Sequence, residues 1–220
     1  MMDLVLVLAM MVTIGEVHGV KKTMNSNRTR KNKKSTVVVN DYIHNIVNVE
    51  VDSSEEYYIY HWLMEAMKLG IVVDFEYQPE AFLLTDKAKY VPAFRNPKHK
   101  EKHLLADHVY TADFKVLFNA THGEKLSEYF KIPIEAVDIQ QNIATVVIDV
   151  KGGFMLHGSD RTFSIHQKLV WEKYKVYVQK VVPEDLFKKL GMPEAAKYTI
   201  KTKKPTIKFV GCKKLEELFK

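Results

Sequence analysis

The apolar pattern of the chain predicts an α/β protein with a central mixed β-sheet flanked by helices. Three observations carry this: a capped helical stretch that begins near residue 53, short strand-like runs between residues 71 and 150, and a second helical stretch at 162–174 followed by a further strand-like run. Elements of period 3.6 and period 2 in the order helix, strands, helix, strand bury both kinds of apolar face when helices pack on a sheet.

Residues 37–51 (VVVNDYIHNIVNVEV) alternate polar and β-branched residues and predict one or two short strands. The period then changes. Asp52 or Ser53 can cap a helix, Ser53-x-x-Glu56 has the spacing of a capping box, and Tyr57, Tyr60, Leu63, Met64 and Met67 recur at helical intervals up to Gly70. Residues 71–77 and 81–85 read as strands around Gln78-Pro79, and the polar, basic residues 86–108, with two prolines, as a loop or a long hairpin tip. Residues 110–118 (YTADFKVLF) and 144–150 (ATVVIDV) read as strands, the second closed by Gly152-Gly153, with a helical piece near 124–130 between them. Phe163, Ile165, Leu169, Val170 and Tyr174 mark the second helix, and residues 175–182 the strand after it.

A chain of 220 residues can bury one good-sized core, and 46% hydrophobic with 11% aromatic content excludes a wholly disordered polypeptide. The single cysteine, Cys212, can form neither an internal disulfide nor a thiolate zinc cage, which fits a reducing cytoplasm. Residues 4–14 form an apolar run too short for a comfortable membrane span and of the length of a signal-peptide core. No positive charge precedes it and Glu16 to Gly19 make a poor cleavage site, so a start at Met24 is the simpler reading. The expected organisation is a leader or mis-called start with a disordered basic arm at 1–36, a core at 37–182, and a basic extension at 183–220 packed on the core, with no membrane partner.

The net charge of +6 is unevenly spread. Residues 21–34 carry seven Lys or Arg and no acid, so the body from residue 35 onward is nearly neutral, and net charge alone does not establish a nucleic-acid partner. Local basic runs are more informative: residues 95–103 (RNPKHKEKH), and residues 197–214, which hold seven lysines and no acid.

Asp149 and Lys151 lie two apart at the end of an apolar strand and so project from the same face, with Val147 on that face and Val150 opposite. Two charges there either form an exposed ion pair or hold a metal or a substrate. Asp113 sits in another apolar run, Tyr110-Thr-Ala-Asp-Phe114. Two carboxylates and a main-chain carbonyl, that of Val150, are hard oxygen ligands suited to Mg²⁺ or Mn²⁺. Such an ion lowers the pKa of bound water and neutralises charge developing on a phosphate.

The order Ser53-x-x-Glu56 on a helix, Gln78-Pro79 after a strand, Tyr110-x-Ala-Asp113-Phe114, and Asp149-Val-Lys151-Gly152 resembles the PD-(D/E)XK nuclease superfamily. It is similar in particular to small phage-encoded endonucleases and Holliday-junction resolvases. The resemblance covers roughly residues 51–182 and implies a restriction-endonuclease-like fold. It implies that Asp113 is the first metal acid, Asp149 the second, Lys151 the lysine that orients or deprotonates water, and Glu56 the acid of the first helix. Ala112 stands where proline is usual, Asp149 where glutamate is commoner, and 35 residues separate Asp113 from Asp149. Glu56 also has a purely structural reading as a helix cap.

The implied function is Mg²⁺-dependent hydrolysis of phosphodiester bonds in DNA, branched or otherwise structured, in the cytoplasm, that of a bacterial host if the chain is phage-encoded. Symmetric cutting of a four-way junction would need a homodimer. Arg95, Lys98, Lys100 and Lys102 in the loop, Gln167 and Lys168 on the second helix beside His166, and Lys201, Lys203 and Lys204 in the tail are the expected phosphate contacts. The tail reads as a strand with one basic face, or as a solvated edge strand guarded by its lysines. His99, His103 and His108 have spacings that admit a zinc site, but no cysteine accompanies them. The rival readings are a non-cleaving DNA-binding protein with a degenerate nuclease fold, a sequence-specific restriction-type enzyme, and a secreted or membrane-attached protein.

Overall fold

The computed structural model describes residues 37–94, 100–153 and 157–219, without the side chains of 157–160. The apolar run at 4–14, the basic arm at 21–34, and Arg95, Lys98 and His99 lie outside the described residues.

Strands β1 (Val37–Asp41) and β2 (Ile46–Val51) form an antiparallel hairpin. Asp41, 1% exposed, holds its turn: the carboxylate accepts the N–H groups of Ile43 and His44, the His44 ring at 2.6 Å and the Tyr60 hydroxyl at 2.7 Å. Helix α1 (Ser54–Lys68) follows, capped by Ser53, whose Oγ accepts the Glu56 N–H at 3.1 Å. The helix stops where Gly70 takes φ of 72°, which glycine adopts without a Cβ penalty.

The central sheet has the strand order β11 (Val178–Val181), β10 (Ile143–Val150), β8 (Phe114–Asn119), β3 (Val72–Tyr77). Its β3, β8 and β10 run antiparallel as a meander, and β11 joins β10 in parallel. A parallel neighbour requires a crossover, which helix α3 (His157–Tyr174) supplies. The two-residue strand β9 (Val137–Asp138) pairs with the start of β10. Between β3 and β8 the chain leaves the sheet as a long hairpin. In it β4 (Phe82–Thr85) pairs with β7 (His108–Tyr110), and β5 (Ala88–Tyr90) with β6 (Lys102–Leu105). Between β8 and β9 lie a turn of 3₁₀ helix (Ala120–His122), the short helix α2 (Gly123–Leu126) and a second 3₁₀ turn (Ile134–Ala136).

Alternation along β10 divides its side chains between two cores. Ala144, Val146, Ile148 and Val150 join the larger cluster with α1, where Trp62, Leu63 and Met64 are wholly buried. Val147 joins Phe163, Val170, Tyr110 and Val178 in a smaller cluster under α3. Each large apolar side chain so buried contributes about 1.5–3 kcal/mol. Helix α4 (Pro183–Leu190), a 3₁₀ turn (Glu194–Lys197) and helix α5 (Leu215–Leu218) place Leu186, Phe187, Leu190, Ala196 and Leu215 in the larger cluster. Among the described residues no helix is long and apolar enough to cross a membrane.

Two expectations are corrected. The run at 110–118 is not one strand: it breaks at 111–113, where the chain passes from β7 into β8, so Asp113 stands at a bend rather than inside a strand. The tail at 201–214 is no strand either, and makes isolated bridges instead, Pro205 with Tyr198 and Lys214 with Met192. Positive φ at Lys203 (53°) and Gly211 (87°) breaks the extended backbone, and Phe209 is drawn into the core against the Tyr58 and Phe187 rings.

Candidate active site

The bend before β8 and the end of β10 bring the predicted residues together. The Asp113 N–H donates to the Ile148 carbonyl at 3.0 Å, and its carbonyl accepts the Gln78 N–H at 2.8 Å, so the bend is held on both flanks. The Asp113 side chain then reaches across, and its Oδ2 accepts the N–H of Val150 at 2.6 Å. Val150 separates Asp149 from Lys151, which ties the first acid directly to the Asp-x-Lys motif.

Asp149 is 4% exposed, yet both its oxygens are satisfied. Oδ2 accepts the Tyr110 hydroxyl at 2.8 Å, and Oδ1 is ion-paired with Lys151 Nζ. The shared face read from the two-residue spacing is therefore the face they occupy. Lys151 keeps part of its side chain at the surface, and its ammonium lies 5.8 Å from the centre of the Phe163 ring on α3. Its N–H is fixed by the Val181 carbonyl at 2.8 Å, so the parallel partner strand anchors the lysine's backbone.

Burial pushes the Asp113 carboxyl up to about 8, helped by the negative charges of Asp149 and Glu56 and opposed by the Val150 N–H and Lys151. Burial and the neighbouring Asp149 likewise hold the Tyr110 hydroxyl well above its ordinary value, so it remains a donor. The site thus gathers two buried carboxyls and one lysine, with Asp113 holding its proton at neutral pH while Asp149 pairs with Lys151.

Glu56, 6% exposed, fills the cap that its spacing predicts: the carboxylate accepts the Ser53 hydroxyl at 2.7 Å and the Asp52 N–H at 3.2 Å. It also accepts the Tyr77 hydroxyl at 2.8 Å, and its charge still acts on Asp113. Glu55, one position on, turns instead to Lys208 at 3.1 Å.

Among the described residues no three His, Cys, Asp or Glu side chains stand together as a metal-ligand group. The oxygens that would hold a hard cation here are the Asp113 and Asp149 carboxylates, joined through the Val150 N–H, and the Val150 carbonyl between Asp149 and Lys151. That donor set fits Mg²⁺ or Mn²⁺, which takes one or two carboxylates and keeps several waters.

The predicted DNA contacts are scattered. Lys100 and Lys102 lie on or beside β6 and are exposed, as is Lys168 on α3. The Gln167 amide donates to the Val178 carbonyl at 2.6 Å and so pins α3 to β11. Lys201 and Lys204 are exposed, while the Lys203 ammonium approaches the Tyr57 hydroxyl at 3.3 Å. Of the histidine trio, His99 lies outside the described residues, and His108 meets His166 instead, with the two Nε2 atoms 3.1 Å apart.

Sequence reasoning missed two supporting residues, Tyr110 and Phe163. Tyr110 opens the run at 110–118 but gave no sign that its hydroxyl would serve Asp149, since its partner is 39 residues away. Phe163 sits at a helical position that periodicity assigns to packing, and only the crossover of α3 brings it to the motif; His166, expected near the motif as a phosphate contact, has its ring 4.9 Å from that of Tyr110. Compared with family models, curated proteins and solved structures, the chain matched none.

Proposed function

We propose that this protein is a metal-dependent DNA endonuclease of the PD-(D/E)XK type, with Asp113 and Asp149 as metal acids, Lys151 as the catalytic lysine and Glu56 as a supporting charge. The observation that carries the reading is the meeting of Asp113 with the Asp149-Lys151 pair through the Val150 N–H, in a site where burial and clustered carboxylates create a demand for a cation. The order of α1, the β3–β8–β10 meander, α3 and parallel β11 around that site supports it as well.

A bound Mg²⁺ would supply an activated water and charge neutralisation at the phosphate. The chain's own residues do the rest. Asp149 holds the Lys151 ammonium, whose charge favours the extra negative charge on phosphorus as water attacks opposite the leaving 3′ oxygen. Tyr110 fixes the orientation of Asp149, and Glu56 adds negative potential while closing the start of α1. Phosphate contacts from Lys100, Lys102, Lys168, Lys201 and Lys204 would position the strand without reading its sequence.

The test separates chemistry from binding. Asp113→Asn and Asp149→Asn are nearly isosteric and are expected to abolish Mg²⁺-dependent nicking of plasmid and branched DNA, with the fold intact by circular dichroism. Lys151→Ala should lose most activity and keep its metal affinity, and Glu56→Gln should be milder. DNA binding in calcium should persist or tighten in the Asn variants as carboxylate–phosphate repulsion is relieved. Full cutting by a folded Asp149→Asn protein would remove the assignment, and an inactive wild type on every DNA would favour the non-cleaving binder.

A further inference from the structure

A concavity whose lining includes none of these carboxylates lies beside α3. It has a volume of about 600 Å³, within the range of small-ligand sites, and is lined by Lys131, Ile132, Pro133, Gln167, Lys168, Trp171 and Tyr177. Trp171 is 38% exposed, whereas the chain's other tryptophan, Trp62, is wholly buried and donates to the Gly191 carbonyl at 3.0 Å. The exposed indole and the half-buried Tyr177 line the same hollow, which leaves aromatic surface open to a flat partner.

The walls are built rather than incidental. Gln179, 6% exposed, clamps the backbone of Lys131 from both ends of its amide: Oε1 accepts the Lys131 N–H at 3.2 Å and Nε2 donates to the Lys131 carbonyl. Gln167 fixes the opposite wall through its bond to the Val178 carbonyl. Lys131 and Lys168 are both exposed at the hollow, and neither has a carboxylate partner among the described residues. Two aromatic side chains and two such cations lining one hollow are complementary to a planar ring carrying a phosphate.

We infer that this hollow receives an unpaired nucleotide, its base stacked on Trp171 and Tyr177 and its phosphate held by Lys131 and Lys168. The inference rests on the nuclease reading and narrows its substrate to DNA with a single-stranded segment beside the cut. Helix α3 links the two places: Phe163 lies under Lys151, and Trp171 follows eight residues later, about 12 Å along the axis. That separation corresponds to roughly three to four nucleotides of strand at duplex spacing. Flaps, forks and junctions with unstacked ends offer such a base, and a blunt duplex does not.

Binding is measured on the full chain in calcium, by tryptophan fluorescence and by anisotropy of a labelled oligonucleotide. Because Trp62 is shielded, a short single strand should quench the emission of Trp171. An abasic strand with the same number of phosphates should bind about ten-fold more weakly and leave the emission unchanged. Trp171→Ala should lose about ten-fold in single-strand affinity, Trp171→Phe should recover most of it, and Lys168→Gln should flatten the salt dependence. Equal binding of the abasic strand, unchanged affinity in Trp171→Ala, or a wild-type dimer in sedimentation that Trp171→Ala dissolves would each overturn the proposal. Quenching by single strands with no cleavage in Mg²⁺ would keep the pocket and remove the nuclease reading. Mg²⁺-dependent cleavage with no response from Trp171 would do the reverse.

Discussion

Asp149 commits one oxygen to Tyr110 and the other to Lys151, so the carboxylate is oriented before any ligand arrives. Tyr110→Phe would leave Oδ2 buried without its donor, which costs about 1–3 kcal/mol of stability, measurable by urea unfolding. Its effect on cleavage should be smaller than that of Asp149→Asn, because the ligand charge survives. Asp113 makes a pH prediction. Its carboxyl is raised to about 8 in the fold, so the folded state holds a proton that the unfolded state releases near the ordinary carboxylate value. This contribution to stability is full below that ordinary value and is lost as pH rises through about 8. In EDTA, Asp113→Asn should therefore gain in melting temperature over the wild type as pH rises across this window. Added Mg²⁺ should narrow the gap by binding the ionised wild type. An unchanged difference at all pH values would show that Asp113 ionises as an ordinary surface acid.

At the scale of elements, each part of the site depends on a junction rather than on the interior of a helix or strand. The start of α1 carries Glu56, the bend between β7 and β8 carries Asp113, and the end of β10 carries Asp149 and Lys151. Junctions leave backbone N–H groups without ladder partners, and such groups are free to bind carboxylates, as Val150 does. The helices behind the sheet keep these junctions in place. Gly191, at the end of α4, has φ of 88°, and a Cβ there would lie 2.7 Å from the Leu215 Cα. Its carbonyl also takes the Trp62 indole of α1. Gly191→Ala should thus cost more than about 1 kcal/mol and loosen α5 and α1 together. Calorimetry would read the lowered melting temperature, and a variant as stable as the wild type would show that this close approach yields readily.

For the whole molecule, charge distribution matters more than net charge. The folded body carries little excess charge, while lysines concentrate in the arm at 21–34 and in the tail. If these segments hold phosphates, removing residues 21–34, or neutralising Lys201, Lys203 and Lys204, should weaken binding to all DNA sequences alike. The salt slope should flatten by about 0.9 per lost contact, and an unchanged slope would mark those charges as solvated surface. Lys203 should contribute least, since it already lies against Tyr57.

The sequence by itself determined the α/β class, the cap and extent of α1, the strands on either side of Gln78-Pro79, and the shared face of Asp149 and Lys151. Those properties follow from local periodicity and capping chemistry, which span only a few residues. The hairpin excursion was legible at 86–108 as a loop or a long hairpin tip, but not its pairing, because the ladders of β4 with β7 and β5 with β6 are non-local. Apolar residues at 110–118 concealed a break, since the same composition serves the hairpin and the central sheet. Only the tertiary structure decided that Asp113 meets the Val150 N–H, that Tyr110 serves Asp149, and that α3 returns Phe163 to Lys151. The physical reason is common to all three: each contact joins residues 12 to 39 positions apart, and such distances close only when the β10–α3–β11 crossover and the β8–β10 ladder have formed.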